Sequence, residues 1–184
     1  MIDYQKTYGK EYYENYGYTN ESYIRTPAIR QTLEDLADAL CNSFMFYTHM
    51  DIGCAFGYLV QQMRYNGVRS NGCDISEYAI NGGVDGNFVW DISQKRLFGE
   101  YDIVTCVEVV EHIPPEFEEQ ALDNICYAAG KYLYFSSDDN PNEPTHVNIK
   151  PRYKWVALLE QRGFEPIRFD FPYIPWGLMM RRRD

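Results

Sequence analysis

From Phe44 onward, short apolar or β-branched runs alternate with stretches whose apolar positions recur at helical spacing. The runs Phe46–Ile52, Val68–Cys73, Phe88–Trp90, Tyr101–Val107 and Lys131–Ser136 predict strands. Between them, Tyr58–Arg64 (closed by Gly67), Ser76–Ile80 and Pro115–Ala129 (ending at Gly130) predict helices. Arg152–Gln161 predicts a last helix, ended near Gly163, and Phe164–Phe171 and Tyr173–Met180 a closing strand pair. Ahead of this series, Pro27–Leu40 reads as a first helix. Thr26 is its expected N-cap, Pro27 takes the first helical position, and Ile29, Leu33, Leu36, Ala37 and Leu40 form one apolar face.

Strand–helix alternation implies an α/β fold: one doubly wound, Rossmann-like, mostly parallel sheet with a C-terminal antiparallel strand pair. Such sheets bind ligands beyond the carboxyl ends of their strands. The division expected is a Tyr-rich arm over residues 1–26 and a single domain over residues 27–184. Seven tyrosines fall within the first 23 residues. They read either as an arm laid over the domain or as a lid over a ligand, since tyrosine joins apolar area to a hydroxyl.

Composition narrows the classes. The 184 residues carry a formal net charge of −10, which disfavours a broad nucleic-acid face. The terminal Arg181, Arg182 and Arg183 do not reverse that. No apolar run reaches the roughly 20 residues needed to span a bilayer. Met1–Lys10 is polar, so no signal peptide is expected. Five scattered cysteines without a CxxC pair argue against a disulfide framework or zinc ribbon, and for a reducing, cytoplasmic setting.

The chemistry concentrates at strand ends. The first strand runs into Asp51-Ile-Gly53-Cys-Ala-Phe-Gly57, directly before a helix. Glycine there lets the chain turn sharply and a ligand approach closely. Asp74 ends the next strand, 21 residues past Gly53, where a carboxylate can take both hydroxyls of a ribose. Asp91 ends the third, placed to accept from the exocyclic amine of adenine. A dinucleotide site would want G-x-G-x-x-G and a pyrophosphate on the helix N-terminus. Asp51 would repel a pyrophosphate but welcome the cationic amino and sulfonium end of S-adenosylmethionine.

Those residues, in Asp51-Ile-Gly-Cys-Ala-Phe-Gly-Tyr-Leu-Val60, Gly72-Cys-Asp-Ile-Ser-Glu-Tyr-Ala-Ile80 and Tyr101-Asp-Ile-Val-Thr-Cys-Val-Glu-Val-Val-Glu-His-Ile113, resemble class I S-adenosylmethionine-dependent methyltransferases. The likeness is greatest to small methyltransferases that accompany glycosyltransferases in glycan assembly. It extends to the opening Tyr8-Gly-Lys-Glu-Tyr-Tyr13, and to Phe135-Ser-Ser, Glu143-Pro-Thr-His-Val-Asn148, Trp155 and Gly163-Phe164. The chain departs from the family's pattern at His49-Met50, where aliphatic residues are usual, and in the short, Gly-rich connection Ile80–Phe88.

The resemblance implies that Gly53, Cys54, Ala55 and Gly57 pass under the methionine part. It gives Asp74 the ribose, with Ile75 against the adenine. Asp91 would take the adenine amine with Ile92 beside it, and Val107 and Glu108 would border the methionine amino group. It also implies S-adenosylmethionine as cofactor, a small polar acceptor such as a saccharide or glycan intermediate, and association with a glycosyltransferase.

A neutral sugar hydroxyl is a weak nucleophile, so a base is expected. Of the three histidines, His49 lies inside the first strand and is read as structural. His112 and His146 follow the fourth and fifth strands. His146 is the expected general base, with Glu111 or His112 orienting it. The site is read without a metal. The alternative is a divalent ion held by Glu108, Glu111, His112 and His146, as in small-RNA 2′-O-methyltransferases and quinone-precursor O-methyltransferases. A further alternative is a non-catalytic cofactor-binding partner in a glycan-modifying complex. Arg25 is a candidate for a carboxylate of substrate or cofactor.

Overall fold

The computed structural model describes residues 4–14, 27–94, 96 and 99–184. Seven strands form one sheet: β1 (Thr48–Ile52), β2 (Arg69–Asp74), β3 (Phe88–Val89), β4 (Tyr101–Val107), β5 (Ala129–Ser136), β6 (Phe164–Ile167) and β7 (Leu178–Arg182). Their order is β3-β2-β1-β4-β5-β7-β6. All neighbours pair in parallel except those of β7, which runs antiparallel to both β5 and β6. The chain winds outward from β1 in one direction, then restarts beside β1 with β4 and winds the other way. That reversal opens a crevice at the carboxyl edge between β1 and β4.

Helices cover both faces. α1 (Tyr4–Thr7) and α2 (Lys10–Glu14) precede α3 (Pro27–Ser43), α4 (Tyr58–Tyr65), α5 (Glu77–Gly82), α6 (Glu118–Ala128) and α7 (Arg152–Glu160). α3 and α4 bury Leu36, Leu40, Leu59 and Met63 against Ile103, Tyr134 and Met179 of the sheet. α6 and α7 bury Leu122, Ile125, Trp155 and Leu159 against Met50, Val104, Leu133 and Phe135. Alternate residues along β1 and β4 therefore serve opposite layers, as the period of a strand requires. No helix among the described residues is long and apolar enough to cross a membrane.

The structure corrects several expected boundaries. α3 continues past Leu40 to Ser43. The expected N-cap Thr26 and the candidate Arg25 lie outside the described residues. Pro115–Ala129 is not one helix. A 3-10 turn over Pro115–Phe117 leads into α6, and β5 starts at Ala129 with no intervening loop. Gly130 thus lies inside a strand, where the pairing register with β4 shifts. The closing strands are shorter than expected and farther apart. Pro172 and Pro175 lack the N–H a ladder needs, so residues 168–177 form turns and β7 begins only at Leu178.

Residues 4–14 lie against the domain. Gln5 Nε2 donates to the carbonyl of Ile75 (2.8 Å), and its Oε1 accepts from the Glu77 N–H (3.0 Å). Ser76, the N-cap of α5, accepts from the Ala79 N–H and donates its hydroxyl to the Tyr8 carbonyl at 2.6 Å. Tyr8 and Tyr13 are buried with Phe56 and Ala79 in a small core of their own.

Candidate active site

The turn after β1 sets the floor. The Gly53 and Cys54 N–H groups both donate to the Cys73 carbonyl, at 2.8 and 3.0 Å, which folds the turn back on the end of β2. Gly53 has φ +78°, and a Cβ there would sit 2.2 Å from Val109 Cγ2. Two non-glycine residues also take left-handed backbone: Ala55 (φ +46°) after β1 and Glu108 (φ +55°) after β4. Such strain persists only where surrounding structure enforces it, and it gathers at functional sites.

These turns enclose a cavity of about 470 Å³. Asp51, Gly53, Cys54, Ala55, Asp74, Ile75, Asp91, Ile92, Val107, Glu108, His112 and His146 all line it. Two expected residues do not. Gly57 stands behind the turn as the N-cap of α4, facing Asn87 and Val84, and Glu111 is fully buried below the histidines.

The three aspartates are held in different ways. Asp74 accepts from the N–H groups of Ala55 and Ser76, both at 2.8 Å, so it ties the two turns together. Asp91 Oδ1 accepts from the N–H and hydroxyl of Ser93. Asp51 Oδ1 accepts the Thr105 hydroxyl at 2.5 Å. Burial pushes the Asp51 carboxyl up to about 7, with the nearby Asp74 adding to the rise and Thr105 opposing it. Burial also raises Asp74, against the pull of its N–H donors.

The opposite side of the cavity carries the imidazoles. His146 Nδ1 lies 3.0 Å from the Asn140 carbonyl, and His112 Nδ1 3.2 Å from the Thr145 carbonyl. A carbonyl only accepts, so each Nδ1 carries the proton and each Nε2 keeps its lone pair. Burial and the neighbouring His146 hold His112 down at about 4.

Glu111 acts on the loop and not on the His146 ring, whose Nδ1 partner is the Asn140 carbonyl. The Glu111 Oε1 accepts from the Asp138 N–H at 3.1 Å, and its carbonyl accepts from the Val147 and Asn148 N–H groups at 2.8 and 2.9 Å. Burial, then the neighbouring Glu108, pushes the Glu111 carboxyl well above the ordinary carboxylate range. Ligand atoms of Glu111, His112 and His146 lie within 4.8 Å of one another, a spacing compatible with a shared cation.

Four further parts complete the wall; the tyrosines are those the sequence offers as a lid, while the α3 residues and Asp138 were not singled out there for the site. Tyr4, Tyr8, Tyr12 and Tyr13 cover one side, and Ala28, Ile29, Thr32 and Leu33 of α3 another. Ile174 enters from the turns before β7, and Asp138 follows β5. Asp138 was accessible to the strand-end rule that found the other aspartates. Trp176, also on those turns, donates its Nε1–H to Glu108 Oε1 at 2.9 Å.

Comparison with known proteins shows the family and the fold. A family model described as "Methyltransferase domain" matches residues 21–168. The chain belongs to that methyltransferase-domain family. The ubiquinone biosynthesis O-methyltransferase of Erwinia tasmaniensis is 32% identical over 131 residues, covering 65% of this chain and 53% of the relative. That of Shewanella pealeana is 30% identical over 100 residues, covering 48% and 42%. The chain thus spans about half the length of these relatives. In fold, this methyltransferase domain is similar to the magnesium protoporphyrin IX methyltransferase of Synechocystis PCC 6803 with bound SAH. The TM-score is 0.71 at 19% identity, over 97% of this chain and 96% of that one. It is also similar to SAM-bound CalS10, an amino pentose methyltransferase from Micromonospora echinaspora, with TM-score 0.68 at 12% identity over 84% and 91%. The fold is that of the class I S-adenosylmethionine-dependent methyltransferases, and S-adenosylmethionine is the cofactor it carries in such neighbours.

Proposed function

We propose that this methyltransferase domain transfers the methyl group of S-adenosylmethionine to a hydroxyl of a small acceptor. One observation carries the reading. Among the described residues lining the cavity there are five carboxylates (Asp51, Asp74, Asp91, Glu108 and Asp138) and no lysine or arginine. A pyrophosphate cofactor would be repelled there, whereas a donor with an ammonium and a sulfonium is attracted. When bound, that donor supplies an activated methyl group.

In this reading Asp74 takes the ribose hydroxyls, Asp91 the adenine amine, and Asp51 the methionine ammonium. Gly53, Cys54 and Ala55 pass beneath the methionine, while Ile75 and Ile92 flank the adenine and Val107 and Glu108 border its amino-acid end. The tyrosines of residues 4–14 close over the cavity as a lid. His146 Nε2 takes the proton of the acceptor hydroxyl. His112 packs beside it, and Glu111 is a positioning residue for the loop. Aligning the reacting groups contributes ~7–11 kcal/mol in well-oriented systems, and a placed base roughly 10²–10⁴-fold.

The acceptor has an apolar face, because tyrosine rings and the aliphatic edge of α3 wall the cavity. A saccharide or glycan intermediate fits through its C–H face, in line with a site that works beside a glycosyltransferase. The names of the ubiquinone-biosynthesis relatives point to a quinone-related acceptor instead.

The three-residue cluster motivates a second reading. Glu111, His112 and His146 would hold a divalent cation, which would lower the pKa of the acceptor hydroxyl. Their fit rests on two imidazoles whose Nδ1 positions are already fixed by carbonyls, the outer-shell arrangement that metal-bound histidines use.

The test is transfer from methyl-labelled S-adenosylmethionine to a panel of saccharides and phenols, with and without chelator. Transfer that is indifferent to chelator and lost in His146→Ala supports the base reading. Transfer abolished by chelator and restored by a divalent metal selects the second. Donor binding without transfer to any acceptor would point to a non-catalytic partner.

A further inference from the structure

A buried polar chain crosses three strands behind the cavity. Ser70 of β2, His49 of β1 and Thr105 of β4 face the same layer as Asp51, and none of the four is more than 5% exposed. His49 Nδ1 lies 2.7 Å from Ser70 Oγ, and His49 Nε2 lies 2.9 Å from Thr105 Oγ1. Thr105 in turn donates its hydroxyl to Asp51 Oδ1. The strand register dictates this line, because His49 pairs with Ser70 across β1 and β2, and Asp51 with Thr105 across β1 and β4.

The direction of the chain follows from Asp51. An ionised carboxylate only accepts, so Thr105 must donate to it. The Thr105 hydroxyl then has no second proton to give, and must accept from His49 Nε2–H. His49 Nδ1 is left bare and accepts from the Ser70 hydroxyl. A ring with both nitrogens committed in this way cannot rotate without breaking two buried hydrogen bonds. Burial keeps the ring neutral, its pKa down at about 3.

We infer that His49 is a positioning residue for the donor site: through Thr105 it fixes the Asp51 carboxyl in one rotamer, with a hydrogen-bond donor on Oδ1, at the wall of the cavity. The inference rests on the assignment of Asp51 to the donor's ammonium. An apolar residue at position 49 would leave the Thr105 hydroxyl free to turn away, and Asp51 would lose its side-chain donor. Among the described residues, the other groups around Asp51 oppose its ionisation or are neutral: the carboxylate of Asp74 from the end of β2, and the buried thiols of Cys54, Cys73 and Cys106. No cation among them can replace the lost donor.

Two variants separate positioning from bulk packing. His49→Phe fills the space without either nitrogen. His49→Gln offers an amide N–H to Thr105 and an amide oxygen to Ser70. The first readout needs no donor: the carbon-13 shift of the Asp51 carboxyl is followed against pH in the donor-free protein. In His49→Phe its midpoint moves up by about one pH unit, as expected for the loss of one hydrogen bond to a charged group. In His49→Gln it stays at the wild-type value. Thr105→Val, which cuts the same link from β4, moves it as His49→Phe does and supplies the measurement should His49→Phe fail to fold.

The second readout is donor affinity by calorimetry at pH 7. It falls about tenfold in His49→Phe and in Thr105→Val and is retained in His49→Gln. An unchanged Asp51 midpoint in both His49→Phe and Thr105→Val overturns the inference. So does an equal loss of donor affinity in His49→Gln and His49→Phe. A wild-type protein that binds no donor, but whose Asp51 midpoint still responds to position 49, overturns the donor assignment while upholding the relay.

Discussion

The rings of His112 and His146 meet edge to face, with centroids 4.8 Å apart and planes at 71°. They come from different turns: His112 ends the short 3-10 turn after β4, and His146 lies on the loop after β5. Each gives its Nδ1 proton to a backbone carbonyl, so two imidazole lone pairs gather beside Asp138 and Glu108 at one end of the cavity.

That arrangement predicts unequal consequences for the two histidines in the base reading. His146→Ala lowers kcat by roughly 10²–10⁴-fold and leaves donor affinity within about threefold of wild type. His112→Ala has the smaller effect on kcat. Steady-state kinetics on an accepted substrate, with calorimetry for the donor, check both. Equal losses in the two variants, accompanied by chelator sensitivity, favour the shared cation.

Gly53 makes a prediction about stability. Gly53→Ala places a methyl group on Val109 in a backbone with φ +78°, a conformation that costs a β-carbon about 1–3 kcal/mol. Urea unfolding should show a loss of about that size or more, with donor binding weakened in parallel. Adding Val109→Ala relieves the contact but not the backbone strain, so the double variant recovers only part of the loss.

The pH dependence of stability has a definite sign at Asp51. Its folded-state pKa of about 7 lies above its ordinary value. Its contribution is therefore fully present below the unfolded pKa and is lost as pH rises through the folded one. Asp51→Asn keeps an oxygen for the Thr105 hydroxyl and cannot ionise. It should melt above wild type at pH 8, with the gap closing toward pH 5, while losing donor affinity. Parallel melting curves at pH 5 and pH 8 measure the difference. A constant gap across that range contradicts the raised pKa.

Much of this was legible in the residues. The parallel sheet, the turn at Gly53 and the aspartates at three strand ends all follow from short-range patterning, because strand period, glycine turns and carboxylate placement are local properties. What escaped were consequences of contacts distant in sequence. His49 looked structural because nothing nearby suggests that Ser70 and Thr105 flank it. Glu111 or His112 was expected to orient His146, and the sequence did not show that the carbonyl and carboxyl of Glu111 hold the loop that carries the histidine. Gly57 was expected in the site by likeness, but it caps α4 behind the turn. The tyrosine cover was readable as composition. Only the hydrogen bonds from Gln5 to Ile75 and to Glu77 of α5, and from Ser76 to Tyr8, show where those rings lie.

Asp74 offers the most direct test of the central claim that the carboxyl edge of the sheet grips an adenosyl donor. Calorimetric titration of the wild-type protein with S-adenosylmethionine should give saturable one-to-one binding. Asp74→Ala should weaken it at least about tenfold, through loss of a charged hydrogen-bonding partner. Absence of binding heat in a folded wild-type protein, or equal affinity in Asp74→Ala, would contradict the account.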